Sequence, residues 1–114
     1  MHEAGIMEST LALAAAKARE QGAERIHRIV LRLGALSGVE PDALRFAFDA
    51  MAKNTPAAGA VLEIETVPAC GYCPDCDLEF AVKSDFIFTC PKCGRISGEL
   101  NQGRELELAR LEIS

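Results

Sequence analysis

The spacing of apolar positions changes along the chain, and each change predicts an element. From about Ile6 to Gln21 the chain is Leu- and Ala-rich and free of Pro and Gly. That pattern predicts a helix, ended by Gly22 in the position where helices close on glycine. Its expected buried stripe is Ile6 and Leu13, joined by Leu11 and Ala14. Residues 25–33 alternate instead, with Ile29, Leu31 and Leu33 on one face and Arg28, Val30 and Arg32 on the other. Period two with one apolar face predicts a half-buried strand. A loop from Gly34 to Gly38 follows. Pro41 then suits the first position of a second helix, and Ser37 and Glu40 have the spacing of a capping box. Leu44, Ala47, Phe48 and Met51 recur at helical spacing, and Asn54-Thr55-Pro56 must end the helix. Residues 61–67 read as a second strand, with Leu62 and Ile64 sharing a face.

The closing segment, from Glu105 to Ile113, alternates out of phase. Leu106 and Leu108 share a face, whereas Leu111 and Ile113 fall on the other. A one-residue slip reverses every side chain. This predicts either a β-bulge near Ala109-Arg110 or a strand buried on both faces at one end. The strand is too isolated to be stable alone, so it should pair with the first two. The predicted fold class is therefore α+β: a three-stranded sheet with two helices, plus an inserted zinc-ribbon-like module. In domain terms, residues 1–69 and 100–114 form an α/β domain, and 70–99 form the insertion.

Composition narrows the function classes. The 114 residues carry a formal net charge of −5, and no run of 18 apolar residues exists. An acidic chain without a basic run argues against nucleic acid as a partner. The absence of a long apolar run argues against a membrane. The start, Met1-His2-Glu3-Ala4, lacks the basic and apolar segments of a secretory signal, so the expected location is the cytoplasm. In that reducing setting, closely spaced cysteines read as metal ligands.

Two Cys-Pro-x-Cys turns occur, Cys73-Pro74-Asp75-Cys76 and Cys90-Pro91-Lys92-Cys93. A two-residue spacer lets both sulfurs of a turn reach one ion. Two turns complete a tetrahedron with no open position, which makes a structural zinc site. Metal binding then supplies much of the folding energy of a segment this poor in core residues. Two ambiguities stand. Cys70-Gly71-Tyr72-Cys73 is also a CxxC, although it lacks the proline that the other two turns share. Rubredoxin-type iron uses similar turns, and Tyr72, Phe80, Phe86 and Phe88 are near. A zinc-ribbon nucleic-acid binder is disfavoured by the segment's own charges, Lys83, Lys92 and Arg95 against Asp75, Asp77, Glu79, Asp85 and Glu99.

Over essentially its whole length the chain resembles the HypA/HybF family of hydrogenase maturation factors, which are nickel metallochaperones. The residues that carry the resemblance are Met1-His2-Glu3, the strand and loop from Val30 to Glu40, Phe46-x-Phe48, the paired Cys turns, and Gly103-x-Glu-Leu. It implies Ni(II) binding at the N-terminus by His2, with Glu3 and Glu40 as further members of the site. The chemistry is consistent on separate grounds. Ni(II) favours square-planar nitrogen donors. The Met1 amine, the His2 backbone nitrogen and the His2 imidazole form fused chelate rings, with the Glu3 backbone nitrogen as a further donor. Resemblance also implies two partners, the GTPase HypB and the hydrogenase large-subunit precursor, and a non-enzymatic role. No nucleophile–base pair or phosphate loop argues for catalysis. The zinc-module histidine that some members offer to nickel is missing, because His2 and His27 are the only two. Homodimerisation by exchange of the zinc module or the last strand stays open.

Overall fold

The computed structural model describes residues 2–82 and 88–114. Its elements are α1 (Glu3–Glu20), β1 (Ile26–Gly34), α2 (Pro41–Met51), β2 (Val61–Val67), β3 (Cys70–Cys73), β4 (Leu78–Ala81), β5 (Glu99–Gln102) and β6 (Leu106–Ile113). They form two three-stranded sheets, ordered β2-β1-β6 and β4-β3-β5. The α+β fold read from the sequence is thus observed, with the last strand paired to the first. By compactness the chain divides into two units. One holds residues 1–32, 39–65 and 107–114; the other holds 33–38 and 66–106.

In the first unit α1 packs against α2. The stripe that α1 buries is Met7, Leu11, Ala14 and Ala18, spaced four, three and four residues apart, as one helix face requires. This corrects the expected stripe: Leu13 is 46% exposed and Ile6 only half-buried. Alanine is the cause, since a run of Ala gives almost no apolar contrast round the helix. The helix also starts three residues early, at Glu3, its first turn closed by the Ile6 N–H donating to the His2 carbonyl at 3.0 Å.

At α2 the helix begins on Pro41 as expected, but no capping box forms. Glu40 is itself the N-cap residue, in extended conformation and without a side-chain cap. Ser37 belongs to the preceding turn, its N–H donating to the Gly34 carbonyl. Leu44, Ala47 and Phe48 are buried and Met51 half-buried.

Ion pairs on the sheet show how the strands run. Arg28 bonds Glu63 of β2 at 3.0 Å and Glu112 of β6 at 3.3 Å; Arg32 bonds Glu65 at 3.6 Å and Glu107 at 3.2 Å. The β2 partners advance with β1 and the β6 partners run against it, so the sheet is mixed. Arg110 also pairs with Glu112. Ala109 and Arg110 are both exposed between the half-buried Leu108 and Leu111, so the change of phase read in the sequence near Ala109-Arg110 is present in the burial pattern of β6. The alternative of two-sided burial fails, because no residue of β6 is fully buried.

In the second unit three passages of the chain cross closely. A Cβ on Gly34 would lie 2.2 Å from the backbone of Gly103, and one on Gly103, whose φ is +129°, would lie 2.8 Å from the Ala69 Cα. Only glycine fits such contacts. Backbone bonds fasten the crossing: the Leu36 N–H donates to the Gly103 carbonyl at 2.6 Å, and the Ala35 N–H to that of Val67 at 2.9 Å. The second sheet follows, its central β3 antiparallel to both neighbours, Cys70 facing Ala81 and Cys73 facing Leu78.

Candidate functional site

The first Cys-Pro-x-Cys turn lies between β3 and β4, and the second follows Phe88. Each proline fixes φ and pre-forms its turn. The residue after each turn's second cysteine has a positive φ, Asp77 at 49° and Gly94 at 75°. The Tyr72 hydroxyl donates to the Asp77 carboxylate at 2.5 Å. The second turn closes as a hairpin: the Gly94 N–H donates to the Cys90 carbonyl, the Cys90 N–H to that of Arg95, and the Ser97 N–H to that of Phe88, at 2.7–2.9 Å. Ser97, the buried polar residue among those described, donates its hydroxyl to the Tyr72 carbonyl at 2.5 Å. An Arg95–Asp75 ion pair ties one turn to the other.

These bonds bring the sulfurs of Cys73, Cys76, Cys90 and Cys93 within 4.8 Å of one another. The Cys73–Cys93 separation is 3.7 Å and the Cys76–Cys90 separation 3.9 Å. A tetrahedron with arms of about 2.3 Å has edges of about 3.8 Å, so four thiolates round one ion fit. Disulfides do not, since bonded sulfurs sit about 2.05 Å apart. The turns also share an asymmetry. The first cysteine of each, Cys73 and Cys90, is buried; the second, Cys76, is half-buried and Cys93 exposed. The backbone N–H groups of Asp75 and Cys76 face the Cys73 sulfur, and those of Lys92 and Cys93 face that of Cys90. Such donors favour thiolate, but at Cys73 the Cys76 N–H is outweighed by burial and the neighbouring Cys93 and Cys90 sulfurs, which raise the thiol. At Cys90 the Cys93 N–H leads in holding the thiol down to about 7. At Cys76 the neighbouring Cys93 sulfur leads in pushing the thiol up to about 12. Sulfurs this close share protons unless a cation takes their place, which is the donor chemistry of a metal site.

The geometry settles the competing frame. Cys70 to Cys73 is the extended strand β3. At about 3.3 Å per residue their Cα atoms stand roughly 10 Å apart, on opposite faces, so they cannot form a metal-binding turn. Phe80 and Phe88 pack with Cys73 and Cys90, supported by Leu36, Leu78, Val82 and Leu100. Phe86, Lys83 and Asp85, named above for iron or charge, lie outside the described residues.

The other predicted site residues lie in the first unit. His2 is exposed and is the N-cap residue of α1; Glu3 is the helix's first residue. Glu40 starts α2. The structure joins the two helix starts, because the Glu40 N–H donates to the Glu3 carboxylate at 3.0 Å. That bond, first among several causes, lowers the Glu3 pKa below 4.5. No capping box or periodicity could have announced a bond across 37 residues. Met1, with its amine, lies outside the described residues. His27 belongs to neither site: it is exposed, and its Nε2 lies 2.7 Å from the Ser114 hydroxyl.

Comparison with known proteins places these features in one family. The model for "Hydrogenase/urease nickel incorporation, metallochaperone, hypA" matches residues 1–113. The chain is 47% identical to the hydrogenase maturation factor HypA of Chloroflexus aurantiacus, over 98% of each chain. It is 46% identical to that of a Picosynechococcus strain, over 99% of each. Its fold matches the solution structure of the Ni metallochaperone HypA from Helicobacter pylori with a TM-score of 0.69 and 27% identity, covering 99% of this chain and 97% of that one. Taken with the whole-length family match, the paired cysteine turns and linked helix starts are those of a chain that belongs to the HypA family.

Proposed function

We propose that this protein is a nickel metallochaperone that binds Ni(II) at its N-terminus and delivers it for [NiFe] hydrogenase maturation, with zinc as the structural ion of the four cysteines. Nickel is cargo and zinc is resident. The two-part division follows: residues 1–69 and 100–114 serve nickel, and the inserted segment 70–99 serves zinc. The carrying observation is the bond from the Glu40 N–H to the Glu3 carboxylate. It supports the reading by joining Glu3, the chain neighbour of His2, to Glu40, which is remote in sequence.

The helix start suits backbone ligation. The first four N–H groups of an α-helix have no role in the helix's own ladder. Nickel drawn to the His2 and Glu3 nitrogens therefore breaks no helical bond. Loss of amide protons on binding makes affinity fall with falling pH. Return of protons to those amide nitrogens frees the ion, and release is what delivery requires. The recipients are proteins of the hydrogenase maturation machinery, the GTPase HypB and the large-subunit precursor. The chain acts without catalysing a reaction, and it does so in the cytoplasm. Among the described residues no helix is long and apolar enough to cross a membrane.

Calorimetric titration with nickel tests the reading. His2→Ala should abolish binding while zinc content and circular dichroism stay unchanged. A tag fused to Met1 should weaken binding by turning the amine into an amide. Unaltered nickel affinity in the His2→Ala variant would sink the N-terminal site.

A further inference from the structure

Phe46 is a large apolar residue that neither the core nor the metal sites use. It is 77% exposed, the most exposed large apolar side chain among those described. The cause is its place on α2. At 100° per residue it lies 200° round the helix from both Leu44 and Phe48, which are buried. It is thus aimed almost directly away from the core. An isolated exposed leucine is ordinary on a protein surface, but a phenylalanine this bare leaves a whole ring in water.

The ring has a patterned setting. One turn before and after it on the same face lie Asp42 and Asp49, on one side, and Ala43 and Ala50, on the other. Asp42, Asp49 and Ala50 are exposed. The neighbouring cation, Arg45, is directed elsewhere, its guanidinium donating to the Leu62 carbonyl at 3.2 Å. The alanines let the ring stand proud, and the carboxylates give its flank a negative charge. An acidic flank repels an anionic membrane surface and favours a cationic one on a protein. Position adds a reason: Glu40 is the N-cap residue of α2, and six residues at about 1.5 Å each put Phe46 about 9 Å along the axis from it. A partner seated on the ring is within reach of the N-terminal site.

We propose that Phe46 is the anchor of a docking face on α2, received by an apolar socket edged with lysine or arginine on the protein that takes the nickel. The proposal rests on the metallochaperone reading and deepens it. Buried aromatic anchors carry a large share of interface energy, while flanking charges act mainly on the association rate.

The test uses the full chain with its free N-terminus, against the purified GTPase HypB and the hydrogenase large-subunit precursor of the same organism. By biolayer interferometry, Phe46→Ala should weaken one of these complexes by about thirty-fold or more, the loss expected of an anchor residue. Asp42→Lys with Asp49→Lys should slow association with that same partner and flatten its salt dependence. Both variants should keep wild-type nickel affinity and thermal midpoint. The proposal is overturned if Phe46→Ala binds both proteins like the wild type, or if the wild type binds neither. It is equally overturned if sedimentation shows that Phe46 holds two copies of this chain together, or if Phe46→Ala loses nickel. Failure of the nickel reading is separately visible, as unaltered nickel affinity in His2→Ala.

Discussion

The helical unit buries Met7, Leu11, Ile26, Ile29, Leu31, Leu44 and Phe48, large side chains from both helices and the central strand. Around the paired turns the buried cluster is Cys73, Phe80, Phe88 and Cys90, so half of it is sulfur ligand. In the first unit the hydrophobic effect does most of the work. Burying one such side chain contributes about 1.5–3 kcal/mol. In the second, a few aromatics and a hairpin of backbone bonds cannot offset the ordering of three short strands, and an ion held by the four cysteines would make up the difference. The lesson is that the same chain solves the folding problem twice, and that each solution fails under different insults.

The sharpest way to break this comparison is to remove the metal. Chelation, or Cys73→Ser, should take away stabilisation on the order of 10 kcal/mol, the scale of structural zinc. Amide resonances of residues 66–106 should collapse toward random-coil shifts while those of α1 and α2 stay dispersed. Simultaneous loss of both sets would show that the units do not fold by separate means. The complementary insult is Leu44→Ala, at a fully buried position of α2. It should lower unfolding free energy by about 2–5 kcal/mol, read as a lower urea midpoint, and leave the metal content of the four-cysteine site unchanged. Zinc loss in step with unfolding of the helices would contradict the division.

The smallest effect concerns pH. The Glu3 carboxyl has its folded pKa lowered below 4.5, first by the Glu40 N–H. A group depressed by folding contributes stability that is present above its unfolded value and lost as pH falls through the folded one. The Glu40 amide shift should therefore titrate with the Glu3 carboxyl, at a midpoint below the ordinary glutamate value. A midpoint at or above 4.5 would mean that the bond is not made in solution.

Legibility from sequence followed the range of the interaction. The cysteine turns were readable because their chemistry is local: spacing, proline and thiol together prescribe the geometry. The change of phase in β6 was readable because a slip in a period-two pattern shows directly in the sequence, and Ala109 and Arg110 are both exposed where it falls. Strand β2 was read at its observed limits, and the pairing of the last strand with the first was inferred from its isolation. On α1 the reading had Leu11 and Ala14 right but Ile6 and Leu13 wrong, because alanine carries too little contrast to show which side is buried. The capping box at Ser37 and Glu40 was a correct spacing that lost to Pro41, which made Glu40 the cap. Nothing local could reveal the Glu3–Glu40 bond or the exposure of Phe46. Both depend on where helices pack, and a phenylalanine two residues from a core phenylalanine reads equally well as either.

The crossing at Gly34, Ala69 and Gly103 bears on how such a protein can be altered or inherited. Those three positions come from three distant parts of the sequence and meet without room for a side chain on either glycine. The cysteine-bearing unit therefore includes Leu33–Gly38, which are separated from the rest of it by an entire helix and strand. A segment cut out as one continuous piece leaves that strip behind. Recombination that swaps a single stretch of gene cannot transplant this unit whole, and the two halves of the molecule are bound to descend together.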